Sequence, residues 1–410
     1  MKIAVLTHRP LYPVVTGYSR AIIDTYISVA GIGHDVLIVA ITPRVRARKV
    51  HVNSLLYLEL FETRNVFLKL MPMRILLRLC GDELLFYHLL LLSKAYSEDN
   101  VVANVAKYIE EYLGEPDVIV SESLYPSLLS MNLSRVFSVP LVVRMHNIES
   151  LYVKSLTHIF KKKAYELISA FEKRIVKNVN KVITLSYEDK RLLEAMYGVN
   201  AIHLPPILLL GDSVPFDRLA ELYGLEENRY FAYIASPHKP NILFLKYLLT
   251  CWSNIKRYLA KYGYKLVIGG SISPYALKLI QRYGLAKDNT IVVTGLLSRG
   301  EVRSLLEKAY ACIAPHHGHG IPIKLVEALK LGVPTITTTN ALNSLTGLKN
   351  KYNVYAVEDI HKLCKAILTL VSNKQLYENI RSNAIIISEK LNAINLAKHY
   401  VEVLFNKFTR

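Results

Sequence analysis

Residues 315–334 read PHHGHGIPIKLVEALKLGVP, and this stretch decides the architecture. An apolar run, Tyr310–Ala314, precedes it and predicts a strand ending at Pro315. A glycine-containing loop follows, and a helix is expected to start near Pro322, where a missing N–H is tolerated. Gly318 and Gly320 would allow close backbone approach to a ligand. The free N–H groups of the helix start suit a diphosphate, with Lys324 adding a point charge. Glu327 lies three residues further on the same helix face, where a carboxylate accepts from ribose hydroxyls. His316, His317 and His319 have no carboxylate or cysteine beside them, so no metal site is expected.

Outward from this loop, short β-branched runs alternate with amphipathic stretches, the pattern of βαβ units around a parallel sheet. One series predicts strands at Lys2–Thr7, Asp35–Ile41, Asp117–Val120, Leu141–Met145 and Lys181–Leu185, with a helix at Ser19–Ala30. A long basic helix is expected from Leu151 to Asn178. A second series runs through Tyr230–Ala235, Lys265–Ile268, Thr290–Thr294, Tyr310–Ala314, Pro334–Thr338 and Asn353–Ala356. Between the two, Pro205, Pro206, Gly211 and Pro215 mark a linker. The expected organisation is an N-terminal domain over 1–205, a C-terminal domain over 206–385 and a final helix over 386–410. Residues 43–96 break the rhythm with leucines, Arg44, Arg46, Arg48, Lys49, Lys69, Arg74 and Arg78, and Pro72 should interrupt any helix. Two readings of this insertion stand: a core-facing helical segment, or a basic amphipathic surface touching membrane.

With 410 residues and 51% apolar content the chain can bury two cores. No apolar run is long enough to span a bilayer, and Met1–Thr7 reads as a strand rather than a signal peptide. A soluble, cytoplasmic protein is expected. Cys80, Cys251, Cys312 and Cys364 are scattered, which predicts buried thiols without a disulfide framework or zinc site. The formal net charge is +18, and the excess of Lys and Arg is twice as large after Pro205 as before it. Such a field attracts nucleotide diphosphates, acidic lipid surfaces or nucleic acid alike, and biased composition would produce it too.

Ligands of open α/β sheets bind beyond the carboxyl ends of strands. Besides the quoted stretch, three such loops stand out. His8–Arg20 holds Gly17 and Arg20, without a Gly-x-Gly-x-x-Gly or Walker pattern; an ordinary turn is the alternative. Arg144, His146, Asn147 and Glu149 cluster after Leu141–Met145, and histidine there can hydrogen-bond a hydroxyl or take a proton near neutral pH. Ser236–Asn241 places Lys239 at a phosphate position before a helix near Pro240, a solvated turn being the alternative.

Gly318, Gly320, Lys324, Glu327, Ala328, Gly332 and Pro334 fall on Gly-x-Gly-x-x-x-Lys-x-x-Glu-Ala-x-x-x-Gly-x-Pro. In this the chain resembles retaining glycosyltransferases of family 4, the group 1 glycosyl transferases. The likeness extends to VTGLL (Val293–Leu297), SPHKPN (Ser236–Asn241), RMHNIESLY (Arg144–Tyr152), LTHRPLYPVVTGYSR (Leu6–Arg20) and GHDV (Gly33–Val36). The first glutamate of the family's Glu-x7-Glu falls on His319, and the second is Glu327.

The resemblance implies an α/β fold of two Rossmann-like domains facing across a cleft (GT-B), with C-terminal helices packing back towards the first domain. It implies a hexosyltransferase using a nucleoside diphosphate sugar, with retention and without metal or cofactor. The acceptor would be a glycan, a lipid-linked glycan or a glycoprotein. His146, Lys324 and Glu327 would be catalytic. Lys239, Gly295, Leu296, Gly318, His319, Gly320, Ile321, Lys324 and Glu327 would hold the donor. Gly17, Arg20, Arg144, Asn147 and Glu149 would line the acceptor side. Peripheral contact with the anionic inner face of a membrane is expected, and nucleic acid is not. The rivals are a sugar-nucleotide epimerase or phosphorylase on the same fold, and a non-enzymatic basic protein binding nucleic acid or a membrane surface.

Overall fold

The computed structural model describes residues 1–12, 14, 16–41, 48–52, 55–60, 98–156, 161–316, 318 and 320–406. They divide into two compact units, Met1–Ile207 with Gly318–Gly320 and Ala393–Arg410, and Leu208–His317 with Ile321–Asn392.

Unit 1 is built on an eight-stranded sheet. In chain order its strands are β1 (Lys2–Thr7), β2 (Asp35–Ile41), β3 (Arg48–Val52), β4 (Leu55–Leu60), β5 (Val118–Glu122), β6 (Leu141–Met145), β7 (Lys181–Thr184) and β8 (Ala201–His203). They lie in the order β3-β4-β2-β1-β5-β6-β7-β8. All pairs are parallel except β3 with β4. The helices are α1 (Gly17–Gly31), α2 (Asp99–Tyr112), α3 (Ser127–Phe137), α4 (Glu149–Leu156), α5 (Lys161–Lys177) and α6 (Tyr187–Tyr197). Central strands such as Val118–Glu122 and Leu141–Met145 are buried throughout, as a parallel sheet covered on both faces requires.

Unit 2 has six parallel strands: β9 (Tyr230–Ile234), β10 (Lys265–Gly269), β11 (Ile291–Gly295), β12 (Ala311–Ile313), β13 (Thr335–Thr338) and β14 (Tyr355–Val357). Their order is β11-β10-β9-β12-β13-β14. Its helices are α7 (Phe216–Tyr223), α8 (Lys239–Ala260), α9 (Ser273–Arg282), α10 (Arg299–Glu307), α11 (Ile323–Lys330), α12 (Leu363–Ser372) and α13 (Lys374–Lys390). The last helix, α14 (Ala393–Phe405), belongs to unit 1. Ala397, Tyr400, Val403 and Leu404 enter the unit 1 core, and the Tyr400 hydroxyl meets that of Tyr26 at 2.9 Å.

Several elements differ from the sequence expectations. The single helix read over 151–178 is two helices, α4 and α5; no proline or glycine marks the division, so periodicity carries no signal of it. The short strand β8 was not anticipated. In the insertion, β3 and β4 add a strand pair to the sheet edge, while residues 61–97, with Pro72 and both readings of that segment, lie outside the described residues. Cys251 of α8 and Cys364 of α12 form a disulfide with their Cα atoms 5.4 Å apart, correcting the expectation of unpaired thiols. Their separation of 113 residues hides a proximity that only the packing of α8 on α12 creates. Cys312 is free and buried. No described helix is long and apolar enough to cross a membrane.

Candidate functional site

Each sheet has one place where chain order reverses. In unit 1, β1 leads to β2 and β4 on one side, while β5, β6, β7 and β8 follow on the other. In unit 2, β9 leads outward to β10 and β11, and the chain returns to lay down β12, β13 and β14 on the far side of β9. Loops diverge at such a switch point and leave a crevice beyond the strand ends. The loop motifs singled out in the sequence fall at the ends of β1 and β6 in unit 1, and of β9, β11 and β12 in unit 2.

At the first switch point a buried polar network forms. His146, 8% exposed, brings Nε2 to 2.6 Å from Glu122 Oε2 at the end of β5. Arg144, 1% exposed, binds both oxygens of the same carboxylate through Nη1, at 3.0 and 3.2 Å. Its other nitrogen, Nη2, donates to Thr25 Oγ1 at 3.0 Å, and the Tyr26 hydroxyl donates to Glu122 Oε1 at 2.6 Å. Burial works to raise the Glu122 pKa, but Arg144 and His146 outweigh it and hold the group below its ordinary value. Burial lowers the His146 pKa despite the Glu122 charge. The imidazole is therefore neutral at pH 7; with Nε2–H donating to Glu122, Nδ1 is left as an acceptor. Tyr18, on the first turn of α1, packs its ring 4.6 Å from His146 and donates its hydroxyl to the Glu122 carbonyl at 3.1 Å.

Arg144 is therefore enclosed beneath α1, where it positions Glu122 and has no surface to offer an acceptor. Glu149 is likewise buried. Tyr125 donates to its Oε2 at 2.7 Å, and its own N–H donates to Glu172 Oε1 at 2.8 Å. Burial raises the Glu149 carboxyl to about 7, Tyr125 opposing and Glu172 adding to the rise. Gly17 is exposed at the first position of α1, after the Thr16 cap. Arg20 lies one turn on, with Nε 3.8 Å from Asp24. Gly320 has φ +86°, and a Cβ there would lie 2.9 Å from the His146 carbonyl and against Asn147 Oδ1, so glycine is required. Gly318, with φ +116°, also adopts a conformation that favours glycine.

At the second switch point Lys324, in the first turn of α11, donates to Asn241 Oδ1 at 2.9 Å. Its ammonium stands 5.1 Å from the ring centre of Tyr233. Asn241 is fixed in turn: its Nδ2 donates to the Ser236 carbonyl at 2.9 Å, and the Tyr233 hydroxyl donates to its carbonyl at 3.0 Å. Desolvation lowers the Lys324 pKa to about 8, and no ion pair among the described residues offsets it. Lys239 is exposed at the first residue of α8, whose cap is His238. Glu327 and Ile321 are half-buried. Pro322 caps α11 rather than opening it. The His316 N–H and carbonyl both bond Thr338 Oγ1, tying the loop to the end of β13. Gly295, φ +80°, ends β11 two strands from β9, and Leu296 beside it is 76% exposed. His319 lies outside the described residues.

Sequence reasoning missed Glu122, Tyr18 and Tyr233. The signal for Glu122 was there: the apolar run Val118–Val120 ends abruptly in Ser121, Glu122 and Ser123, at a strand's carboxyl end. Asn241 stood within a quoted motif but was given no role.

Two parallel sheets, each with a polar constellation at its switch point, and a C-terminal helix counted with the first, form the GT-B plan of glycosyltransferases. Residues 228–373 match the model described as "Glycosyl transferases group 1", and residues 84–206 match "Glycosyltransferase Family 4". The chain belongs to these glycosyltransferases. No curated protein sequence matches it. Sucrose-phosphate synthase from Thermosynechococcus elongatus is similar in structure, with TM-score 0.71, 14% identity, and 98% of this chain and 97% of that chain covered. HepE from Anabaena in complex with UDP gives 0.64, 15%, 98% and 99%. The E. coli trehalose-6-phosphate structure bound with UDP-2-fluoro glucose gives 0.65, 12%, 99% and 99%. At these identities the likeness is one of fold.

Proposed function

We propose that the protein transfers a hexosyl group from a nucleoside diphosphate sugar to an acceptor hydroxyl on a glycan or lipid-linked glycan, with retention and without metal or cofactor. The observation that carries the reading is the Lys324 ammonium, desolvated yet bonded, among the described residues, only to a neutral amide and facing an aromatic ring. Such a cation gains most from an anion that arrives from solution. As the glycosidic bond breaks, charge grows on the leaving diphosphate, and a fixed cation stabilises that state more than the ground state. Lys239 and the N–H groups at Gly320–Ile321 would share this work. Gly295 and Leu296 would border the base, and Glu327 would accept from the ribose. His146, neutral and held by Glu122, would hydrogen-bond the transferred sugar or the acceptor, with Gly17, Arg20 and Asn147 around it. The UDP complex of HepE supports uridine nucleotides as the first donors to test. The chain would work in the cytoplasm, peripherally at the inner membrane face.

A thermal-shift screen against UDP-, GDP-, ADP- and dTDP-sugars tests this, because a ligand that binds only the folded state raises the melting temperature. One donor should give a clear rise, and Lys324→Ala should lose most of it while melting like the parent without ligand. A full rise in Lys324→Ala, or none with any donor, contradicts the reading. An epimerised nucleotide sugar from donor alone would favour the epimerase.

A further inference from the structure

Between Lys239 and Lys287 the sequence holds Lys and Arg but no Asp or Glu. This run forms α8, β10 and α9 of unit 2, and α8 packs against α9. Lys256 of α8 pairs with Asp288 just beyond the run at 2.7 Å, and Trp252 Nε1 donates to Thr290 Oγ1 at 3.0 Å. These bonds hold the C-terminal half of α8 against the segment that follows α9. Ile255, Leu259, Leu279, Ile280 and Leu285 fill the space beneath in one core cluster. Arg257 of α8, Lys261 at its C-terminal cap, Lys278 and Arg282 of α9, and Lys287 are left exposed. Among the described residues none of the five is in an ion pair, and the nearest carboxylate in sequence, Asp288, is already taken by Lys256.

Apolar and amphipathic side chains alternate with these cations. Tyr258 of α8 and Tyr262, just past the end of that helix, pack with ring centres 5.2 Å apart and are 40% and 50% exposed. Tyr275, Tyr283 and Leu277, the last 57% exposed, add to the α9 side. Tyrosine carries an apolar ring with a polar tip, and lysine an apolar stem with a charged head; both suit a boundary between lipid and water. We infer that this face of α8 and α9 docks on an anionic lipid bilayer. Charge complementarity selects the headgroups, and Leu277 with the paired tyrosines selects a membrane over a nucleic acid, whose phosphate backbone offers an exposed leucine nothing. The inference deepens the membrane-contact part of the reading above and rests on it. Vesicle binding is scored without any sugar nucleotide, so either can fail alone.

Sedimentation of the full chain with phosphatidylcholine vesicles, with and without phosphatidylglycerol, tests it. The protein should pellet only with the anionic vesicles and be released by salt. R257E/K261E/R282E/K287E should weaken partitioning by about tenfold or more, since each basic residue near the surface contributes. K162E/K163E/K173E/R174E on α5, an equal change in net charge, should weaken it far less. Y258S/Y262S/L277S, which keeps every charge, should also weaken it. If the reversed chain does not melt like the parent, the version with four glutamines takes its place. No pelleting of the unaltered protein overturns the proposal, as do equal losses in the two charge variants or unchanged partitioning of Y258S/Y262S/L277S. A larger loss of duplex oligonucleotide binding than of vesicle binding would assign the face to nucleic acid instead.

Discussion

Lys324 shows how one residue's environment writes a measurable signature. Desolvation takes its pKa from 10.5 to about 8 in the free protein. A bound diphosphate favours the charged form and raises the value again. Below pH 8 the ammonium is charged with or without ligand, and donor affinity should be flat. Above it, binding must first take up a proton, so the dissociation constant should rise by up to about tenfold per pH unit until the bound-state pKa is reached. Calorimetry from neutral to alkaline pH, with proton uptake measured in two buffers, reads this directly, and Lys324→Ala should abolish the dependence. The lysine was legible in the sequence from its place after a glycine loop, but its desolvation was not. That depends on Tyr233 and Asn241, which reach it from β9 and α8.

At the scale of elements, the loops after β9, β10 and β11 are stitched together by backbone. The Gly270 N–H donates to the Gly295 carbonyl at 2.8 Å, and the Ile272 N–H donates to that of Ala235 at 3.1 Å. Gly270 has φ +89°, and a Cβ there would stand 2.6 Å from the Ala235 carbonyl oxygen, a backbone atom with little freedom to move. Gly270→Ala should therefore lower stability by about 2 kcal/mol or more. Because Ala235 opens the segment carrying Lys239, donor affinity should fall as well; urea unfolding and donor titration of the purified variant check both. The VTGLL stretch singled out Gly295, whereas Gly269–Gly270 passed unnoticed. A strand-ending glycine pair is common, and only the neighbouring strand supplies the atom that forbids a side chain.

For the whole molecule, two units with separate cores should unfold in separable steps. The Cys251–Cys364 disulfide lies wholly within unit 2, where it closes a loop of 113 residues. A disulfide typically contributes about 2–4 kcal/mol to stability. Scanning calorimetry with and without reductant should move one transition downward and leave the other in place; movement of both, or of neither, contradicts this. The alternation of strand and helix and the placing of glycine loops at strand ends were already determined by the sequence, because each is a local pattern of period two or 3.6. Tertiary structure alone decided which strands become neighbours. With that came the meeting of Glu122, Arg144 and His146 across β5 and β6, the contact of Tyr26 with Tyr400, and the disulfide of α8 with α12. These partners stand far apart in the chain, and a periodic pattern records which face of an element is buried but not which element covers it.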